Sequence, residues 1–214
     1  MSEPTSYDKK EEIASYIIHG FGTLASIAGL IVLLVRAVRL DSLWMITSFA
    51  IYGASLILLF LSSTMYHGIS HTKVKSVLRV VDHGSIYILI AGTYTPFTLV
   101  SLRGHWGWSL FGTVWGLALG GILFGSFTFR ALPRTETATY VLMGWLSAIV
   151  IHRLLDSIGL IGVIFLILGG LIYTLGVIFY KWKGFPYNHA IWHLFVLSGA
   201  VCHFLAVYFY VSPK

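Results

Sequence analysis

The sequence predicts an all-α fold, a bundle of seven transmembrane helices, and two observations support this prediction. Hydrophobic residues make up 57% of the 214 residues and charged residues only 10%, whereas soluble globular proteins carry roughly 25% charged residues. The apolar residues also form long continuous runs. A membrane-spanning helix needs about 20 such residues, while a barrel strand needs about 10 with alternating character. The runs therefore favour helices and exclude secreted, disordered and disulfide-stapled proteins.

Each long apolar run is assigned to one helix, and the short polar stretches between the runs leave no room for a soluble domain. A polar segment at 1–12 comes first, and residues 13–211 form a single transmembrane domain. The first run is too long for the core of a signal peptide and lacks a small-residue cleavage site, so its helix is expected to remain. The helices are predicted near residues 14–36, 43–67, 77–100, 106–127, 137–155, 158–180 and 188–210.

The distribution of basic residues predicts the orientation of the bundle. With the N-terminus inside, nine Lys and Arg side chains face inward, and these are Lys9, Lys10, Lys73, Lys75, Arg79, Arg130, Arg134, Lys181 and Lys183. Five face outward, namely Arg36, Arg39, Arg103, Arg153 and Lys214. Because inner loops carry the excess of positive charge, the N-terminus is predicted to be cytoplasmic and the C-terminus external. No basic stripe or recognition motif indicates a nucleic-acid partner.

The third and fourth helices contain residues that affect their shape and packing. Pro96 lacks a backbone N–H and frees the carbonyl of Gly92, so a kink is expected between them. The fourth helix carries Gly112, Gly116 and Gly120 at four-residue spacing, which lets another helix approach closely. This stripe favours packing inside the bundle. Contact between two copies of the chain, as in a homo-oligomer, is the alternative.

Six ionisable residues fall within or at the ends of the apolar runs, where such groups are costly and usually functional. The predicted topology places all six on the cytoplasmic side, although random placement would have spread them across both halves of the membrane. They are Glu12, His19, His67, Asp82, His189 and His193.

The spacing of the histidines predicts a metal site. His189 and His193 are four residues apart, so they lie on one face of the last helix, one turn from each other. Two imidazoles so placed can bind one metal ion, as in zinc-dependent proteases. With His67 as third ligand, the set matches a catalytic zinc site, in which water completes the coordination. Asp82 is predicted to hold that water or orient a ligand, and Ser63 lies on the same stripe as His67.

A single intramembrane histidine is more often a hydrogen-bonded packing residue than a ligand, but three histidines and an aspartate at one depth favour a metal. Manganese or iron would also fit three histidines. A retinal protein needs a lysine in mid-membrane, and all the lysines lie at termini or in loops. Paired histidines could bind haem b, but a His pair one turn apart beside an aspartate favours a compact cation.

Three short motifs together resemble those of a known family. Ser63-x3-His67, Asp82-His83-Gly84 and His189-x3-His193 resemble the signature blocks of the hemolysin III group. That group belongs to the progestin and adiponectin receptor superfamily, which is similar in turn to alkaline ceramidases. The resemblance extends over essentially the whole chain.

The resemblance implies a seven-helix bundle with a cytoplasmic N-terminus and a zinc ion (Zn²⁺) near the inner leaflet. It implies His67, His189 and His193 as the zinc ligands, with Asp82 and Ser63 on the water side of the metal. In the first helix, relatives carry a Glu, an Asn three residues later, and a His four residues after the Asn. Here Glu12 and His19 match that motif, while Ser15 stands where Asn is usual.

The function expected from these features is a zinc-dependent hydrolase that acts on an amide or ester in membrane lipids. Asp82 would accept the proton of water, and Ser63 would hydrogen-bond Asp82 or the developing oxyanion. The resemblance implies a role in membrane homeostasis at the cell (plasma or inner) membrane. The alternatives are a non-catalytic lipid sensor or membrane-energetics protein with a structural zinc, an ion or proton pathway through His19, Asp82 and His203, and a cytolysin.

Overall fold

The structure, a computed structural model, describes residues 8–128 and 133–213. These residues form helices and no strand, which confirms the all-α prediction. The helices are α1 (Lys9–Arg39), α2 (Leu43–Gly68), α3 (Thr72–Pro96), α4 (His105–Thr128), α5 (Pro133–Gly144), α6 (Ile151–Lys181) and α7 (Asn188–Tyr210). Residues 1–7 of the predicted polar segment lie outside the described part of the chain, as do Arg130 and Lys214 of the charge count.

Within the described residues, five helical stretches are long and apolar enough to cross a membrane. They are Lys9–Arg39, Leu43–Gly68, His105–Phe124, Glu136–Lys181 and Asn188–Tyr210. Their outward faces are apolar: Phe21 is 66% exposed, Phe124 is 74% exposed and Ile149 is 72% exposed. Large apolar side chains in contact with water would be unfavourable, so these faces fit a lipid environment. The fold is that of a multi-pass helical membrane protein.

The stretch Glu136–Lys181 contains a reversal of the chain. Gly159 has φ 70° and ψ 173°, a conformation that essentially only glycine adopts. Trp145 Nε1 donates a hydrogen bond to Thr174 Oγ1 at 3.1 Å, so the segments before and after Gly159 lie side by side. The sequence places this connection at residues 156–157, but both remain helical and the turn comes at the glycine.

The irregularity caused by Pro96 also lies further along the chain than the sequence predicts. Its own dihedrals are helical, with φ −60° and ψ −40°, and the next segment, Phe97–Ser101, is π-helical. The irregularity therefore follows Pro96 instead of lying between Gly92 and Pro96. Gly92 itself packs against Ser55 of α2 so closely that a Cβ would overlap the serine side chain. Such close approach of α2 and α3 requires glycine at this position.

The glycine stripe of α4 does not pack inside the bundle, so that interpretation of the stripe was wrong. A Cβ built at Gly112, Gly116 or Gly120 would meet no atom of the described residues within 4 Å. Only the opposite face of α4 is buried against α3, where Trp115 Nε1 donates to Thr95 Oγ1 at 3.1 Å. The reason is that small residues at four-residue spacing mark a helix face that another helix can approach closely. They do not identify the helix that packs there. Contact with a second copy stays a prediction.

The hydrophobic core and the polar cluster occupy different parts of the bundle. Phe49, Tyr52 and Phe60 of α2 are essentially fully buried in the core. Five of the six predicted polar residues instead lie toward the starts of α1 and α7 and the end of α2, and the sixth, Asp82, lies on α3. Since α1 and α7 start at the same end and α2 runs antiparallel to both, side chains far apart in sequence meet there.

Candidate metal centre

Three buried histidines meet at this end of the bundle. His67 Nε2 lies 3.0 Å from His193 Nε2 and 3.3 Å from His189 Nε2. One ring nitrogen from each residue can be chosen so that all three lie within 4.8 Å of one another. The helical spacing of His189 and His193 brings both imidazoles to the same face of α7, opposite the last turn of α2. These three residues can therefore hold a metal ion.

The separations of the nitrogens fit a zinc ion. Zinc binds imidazole nitrogen at about 2.0–2.1 Å, so two ligands in tetrahedral geometry lie about 3.3–3.4 Å apart. Two of the observed separations, 3.0 and 3.3 Å, are close to that value. The hydrogen bonds of the imidazoles also fit a bound cation. His67 Nδ1 donates to a carboxylate, so in a neutral imidazole Nε2 carries the free lone pair. A metal ion at this point would accept that lone pair together with one from His189 and one from His193.

Two residues of α1 contact the Nδ1 atoms of His67 and His193, the ring nitrogens that point away from the cluster. His67 Nδ1 donates to Glu12 Oε2 at 2.6 Å, and Lys75 Nζ donates to Glu12 Oε1 at 2.8 Å. His193 Nδ1 lies 2.7 Å from His19 Nε2, within hydrogen-bonding distance. Partners of this kind fix the tautomer and ring orientation of metal-binding histidines. The sequence places Glu12 and His19 at the correct depth, but it does not show which imidazole each one contacts.

Lys75 and Glu11 were missed as site residues. Lys75 was counted only as a topology charge, and its partner Glu12 is 63 residues away, beyond any local pattern. Glu11 is buried, and its Oε1 accepts the backbone N–H of His189 at 2.8 Å. The first N–H groups of a helix have no partner within the helix, and a carboxylate suits its positive end. Glu11 thus fixes the backbone of a residue of the histidine cluster.

Lys183, in the segment before α7, is close enough to Glu11 for the two charges to interact. Burial lowers the pKa of Lys183, and the Glu11 carboxylate opposes that shift. The Lys183 ammonium also lies over the Tyr180 ring, 4.8 Å from its centroid. The Glu11 cap thus joins the start of α7 to α1, and Lys183 lies between this cap's charge and the Tyr180 ring of α6.

Glu11→Ala is expected to lower the free energy of unfolding by about 1–2 kcal/mol, because it removes a buried cap and its charge from the start of α7. Thermal unfolding in detergent would measure the loss, and hydrogen exchange should rise at the first turn of α7. Asp8→Ala is the matched control, since Asp8 is an exposed carboxylate beside α1 whose side chain makes no capping bond. Equal stability of the two variants would contradict the assigned role of Glu11.

A cavity of about 140 Å³ opens next to the histidines, between α3, α5, α6 and α7. Asp82, His189 and His193 line one end, and the rest of its wall is mainly apolar. A second cavity of about 170 Å³ shares several lining residues with the first, among them Tyr94 and His203. Together the two cavities extend from the histidine cluster far into the membrane-spanning part of the bundle.

The predicted catalytic residues occupy different positions relative to this cavity. Asp82 is buried and lines it beside His189 and His193. Ser63 is fully buried next to the Asp82 carboxylate and is not among the residues that line the cavity. The structure therefore places Ser63 close to Asp82, and of these two residues only Asp82 lines the cavity. The Ser63 hydroxyl has no hydrogen-bond partner among the described residues.

Comparison with known proteins identifies the family. A family model for Haemolysin-III related proteins matches residues 7–204. The chain is 46% identical to Hemolysin-3 of Bacillus cereus over 204 residues, covering 95% of this chain and 93% of that protein. It is 49% identical to the Hemolysin-3 homolog of Bacillus subtilis (strain 168) over 201 residues, with 94% of each chain covered.

A more distant similarity extends to animals. The chain is 35% identical to the Monocyte to macrophage differentiation factor of Homo sapiens over 225 aligned positions, covering 99% of this chain and 88% of that protein. The match to the bacterial relatives includes the segments that bear all three histidines of the cluster. The chain therefore belongs to the haemolysin III family of membrane proteins.

Proposed function

We propose that the protein is a zinc-dependent hydrolase of the cell membrane that cleaves an amide or ester bond in a lipid. The observation that supports this proposal most directly is the cavity, whose wall is apolar along most of its length and ends at Asp82, His189 and His193. An acyl chain fits an apolar wall, and its polar linkage would then lie beside the residues that perform the chemistry.

The proposal includes seven membrane spans with a cytoplasmic N-terminus and an external C-terminus. The stretch Glu136–Lys181 has 46 residues, which at 1.5 Å per residue would extend about 69 Å, roughly twice the thickness of the hydrocarbon layer. The reversal at Gly159 divides it into two spans. With α3 as a further span, made more polar by Lys73, Lys75, Arg79 and Asp82, the total is seven. The excess of Lys and Arg on the histidine side supports a cytoplasmic location for that side.

Each residue of the site has a distinct role in this proposal. His67, His189 and His193 would hold zinc, which supplies Lewis-acid activation of water and of a carbonyl group when bound. Asp82 accepts a proton from water at its cavity-facing carboxylate. Ser63 would position that carboxylate by a hydrogen bond from its hydroxyl. Its burial close to Asp82 and its absence from the cavity wall favour this role over that of an oxyanion donor.

The test is hydrolysis by the purified protein in lipid nanodiscs. Metal-loaded protein should release fatty acid from at least one member of a panel of N-acyl and O-acyl lipids, measured by mass spectrometry. A chelator should abolish release, and added zinc should restore it, because the reaction depends on the metal. Metal-loaded protein that cleaves no acyl lipid in the panel would contradict the proposal.

A second candidate is a lipid sensor in which zinc has a structural role. The observation that favours it is the connection of three helices through one cluster, since α2 and α7 supply the imidazoles and α1 supplies Glu12 and His19. A metal at that point would stabilise the bundle whether or not it activates water. The effect of Asp82 substitution on turnover separates the two candidates.

A further inference from the structure

A second polar cluster lies on the wall of the same cavity, and its members are not among the residues that the sequence predicts for the metal site. His83 of α3 and Glu136 and Tyr140 of α5 form it. His83 Nδ1 donates to Glu136 Oε1 at 2.9 Å. The Tyr140 hydroxyl lies within hydrogen-bonding distance of the same oxygen and of the His83 carbonyl, which is 2.9 Å away. Glu136 itself is only 7% exposed.

The position of this cluster relates it to the metal centre. His83 follows Asp82 directly on α3, so the two are at nearly the same depth, and both line the cavity with Glu136 and Tyr140. His189 and His193 enter the cavity from α7, whereas Glu136 and Tyr140 enter from α5. A lipid whose scissile bond lies beside Asp82 would therefore have its adjoining polar group within reach of Glu136.

The chemistry of Glu136 defines the group that it would bind. Both donors described for this carboxylate reach Oε1, and neither reaches Oε2. A buried carboxylate in a mainly apolar wall is costly unless its oxygens accept hydrogen bonds. Oε2 therefore favours an N–H or O–H donor and disfavours an anionic head group, because like charges repel.

We propose that Glu136, held in place by His83 and Tyr140, binds the hydroxyl or ammonium group of a lipid head group next to the scissile bond. This inference rests on the proposed function, because it assigns the head-group specificity of the same lipid site. It predicts that the preferred lipids carry a hydrogen-bond donor close to the amide or ester, and that free fatty acid anions bind less well.

The experiment compares three tritiated lipids in binding to the metal-loaded protein in nanodiscs. They are N-dodecanoyl ethanolamine, its O-methyl ether, and the analogue with an ammonium group in place of the hydroxyl. Wild-type protein should bind the hydroxyl lipid, the ammonium lipid or both about tenfold to a hundredfold more tightly than the ether, as expected for hydrogen bonds to a charged group. The ranking of the two shows which donor the site prefers.

Substitutions assign the preference to the cluster. Glu136→Leu should remove it, and Glu136→Gln, which keeps the shape and one acceptor, should reduce it to a few-fold because a neutral acceptor is roughly half as strong. Thr137→Val is the matched control, since Thr137 is a buried neighbour that lines the same cavity, and it should keep the wild-type preference. Should Glu136→Leu fail to fold, Glu136→Gln gives the decisive comparison.

Three outcomes would overturn the inference. The first is equal affinity of wild-type protein for all three lipids, and the second is no binding of any of them. The third is a preference for the donor lipids over the ether that stays at the wild-type level in both Glu136 variants. Equilibrium binding requires no turnover, so a protein that discriminates between these lipids without cleaving any lipid would contradict the proposed hydrolase and support the head-group site.

Discussion

His189→Ala is expected to leave the purified protein with about a tenth or less of the wild-type metal content. His189 supplies one of three imidazoles, and loss of even an outer partner of a metal ligand typically lowers affinity 10- to 100-fold. Elemental analysis of protein prepared with equal zinc should show about one ion per wild-type chain, as for a three-histidine site. Because bound metal stabilises the folded state, the variant should also melt at a lower temperature, and added zinc should not restore it.

His203→Ala is the matched control for this prediction. His203 lies on the same helix and lines the same cavity, but it is ten residues beyond His193, about 15 Å further along the helix. Its Nε2 contacts the Leu166 carbonyl at 3.2 Å, away from the cluster. The control should keep the wild-type metal content. Equal metal loss in both variants, or wild-type protein that takes up no metal, would refute a centre at His67, His189 and His193.

The depth of the site could be predicted from the sequence because it depends on periodicity. Apolar runs define the helices, and a residue's place within its run gives its depth in the membrane. That argument places His67 at the end of α2 and His189 at the start of α7, at the same side of the bundle. The four-residue spacing of His189 and His193 then places both imidazoles on one face.

The contacts that support the histidines could not be predicted in this way. Glu12 and His67 are 55 residues apart, and Glu11 and His189 are 178 residues apart. Such pairs depend on which helix packs beside which and on how each helix is rotated about its axis. Neighbouring Glu11 and Glu12 illustrate this, because adjacent positions on α1 contact different helices, α7 and α2. The outward orientation of the α4 glycine stripe depends on the same rotation.

Asp82→Asn is the second substitution with a large expected effect, and it separates a hydrolase from a structural zinc protein. Asparagine has the shape of aspartate but cannot accept a proton from water. General-base catalysis contributes about 10²- to 10⁴-fold, so kcat/KM for the lipid substrate should fall by at least about a hundredfold. Metal content and thermal stability should stay near wild type, because the three histidines and their partners Glu12 and His19 are unchanged. Turnover in nanodiscs and elemental analysis on the same preparation measure both quantities.

Ser63→Ala provides the graded comparison. Ser63 is buried close to the Asp82 carboxylate and does not line the cavity, so in the proposed mechanism it would act through the position of Asp82. Its loss should lower kcat/KM by about tenfold, the lower end of the range for a supporting residue. In the double variant the two effects should not add, since Ser63 has no proton acceptor left to position. Undiminished turnover in Asp82→Asn would show that Asp82 is not the base. Loss of metal and stability in the same variant would instead place Asp82 in the structural support of the histidine cluster, an outcome that favours the lipid-sensor alternative.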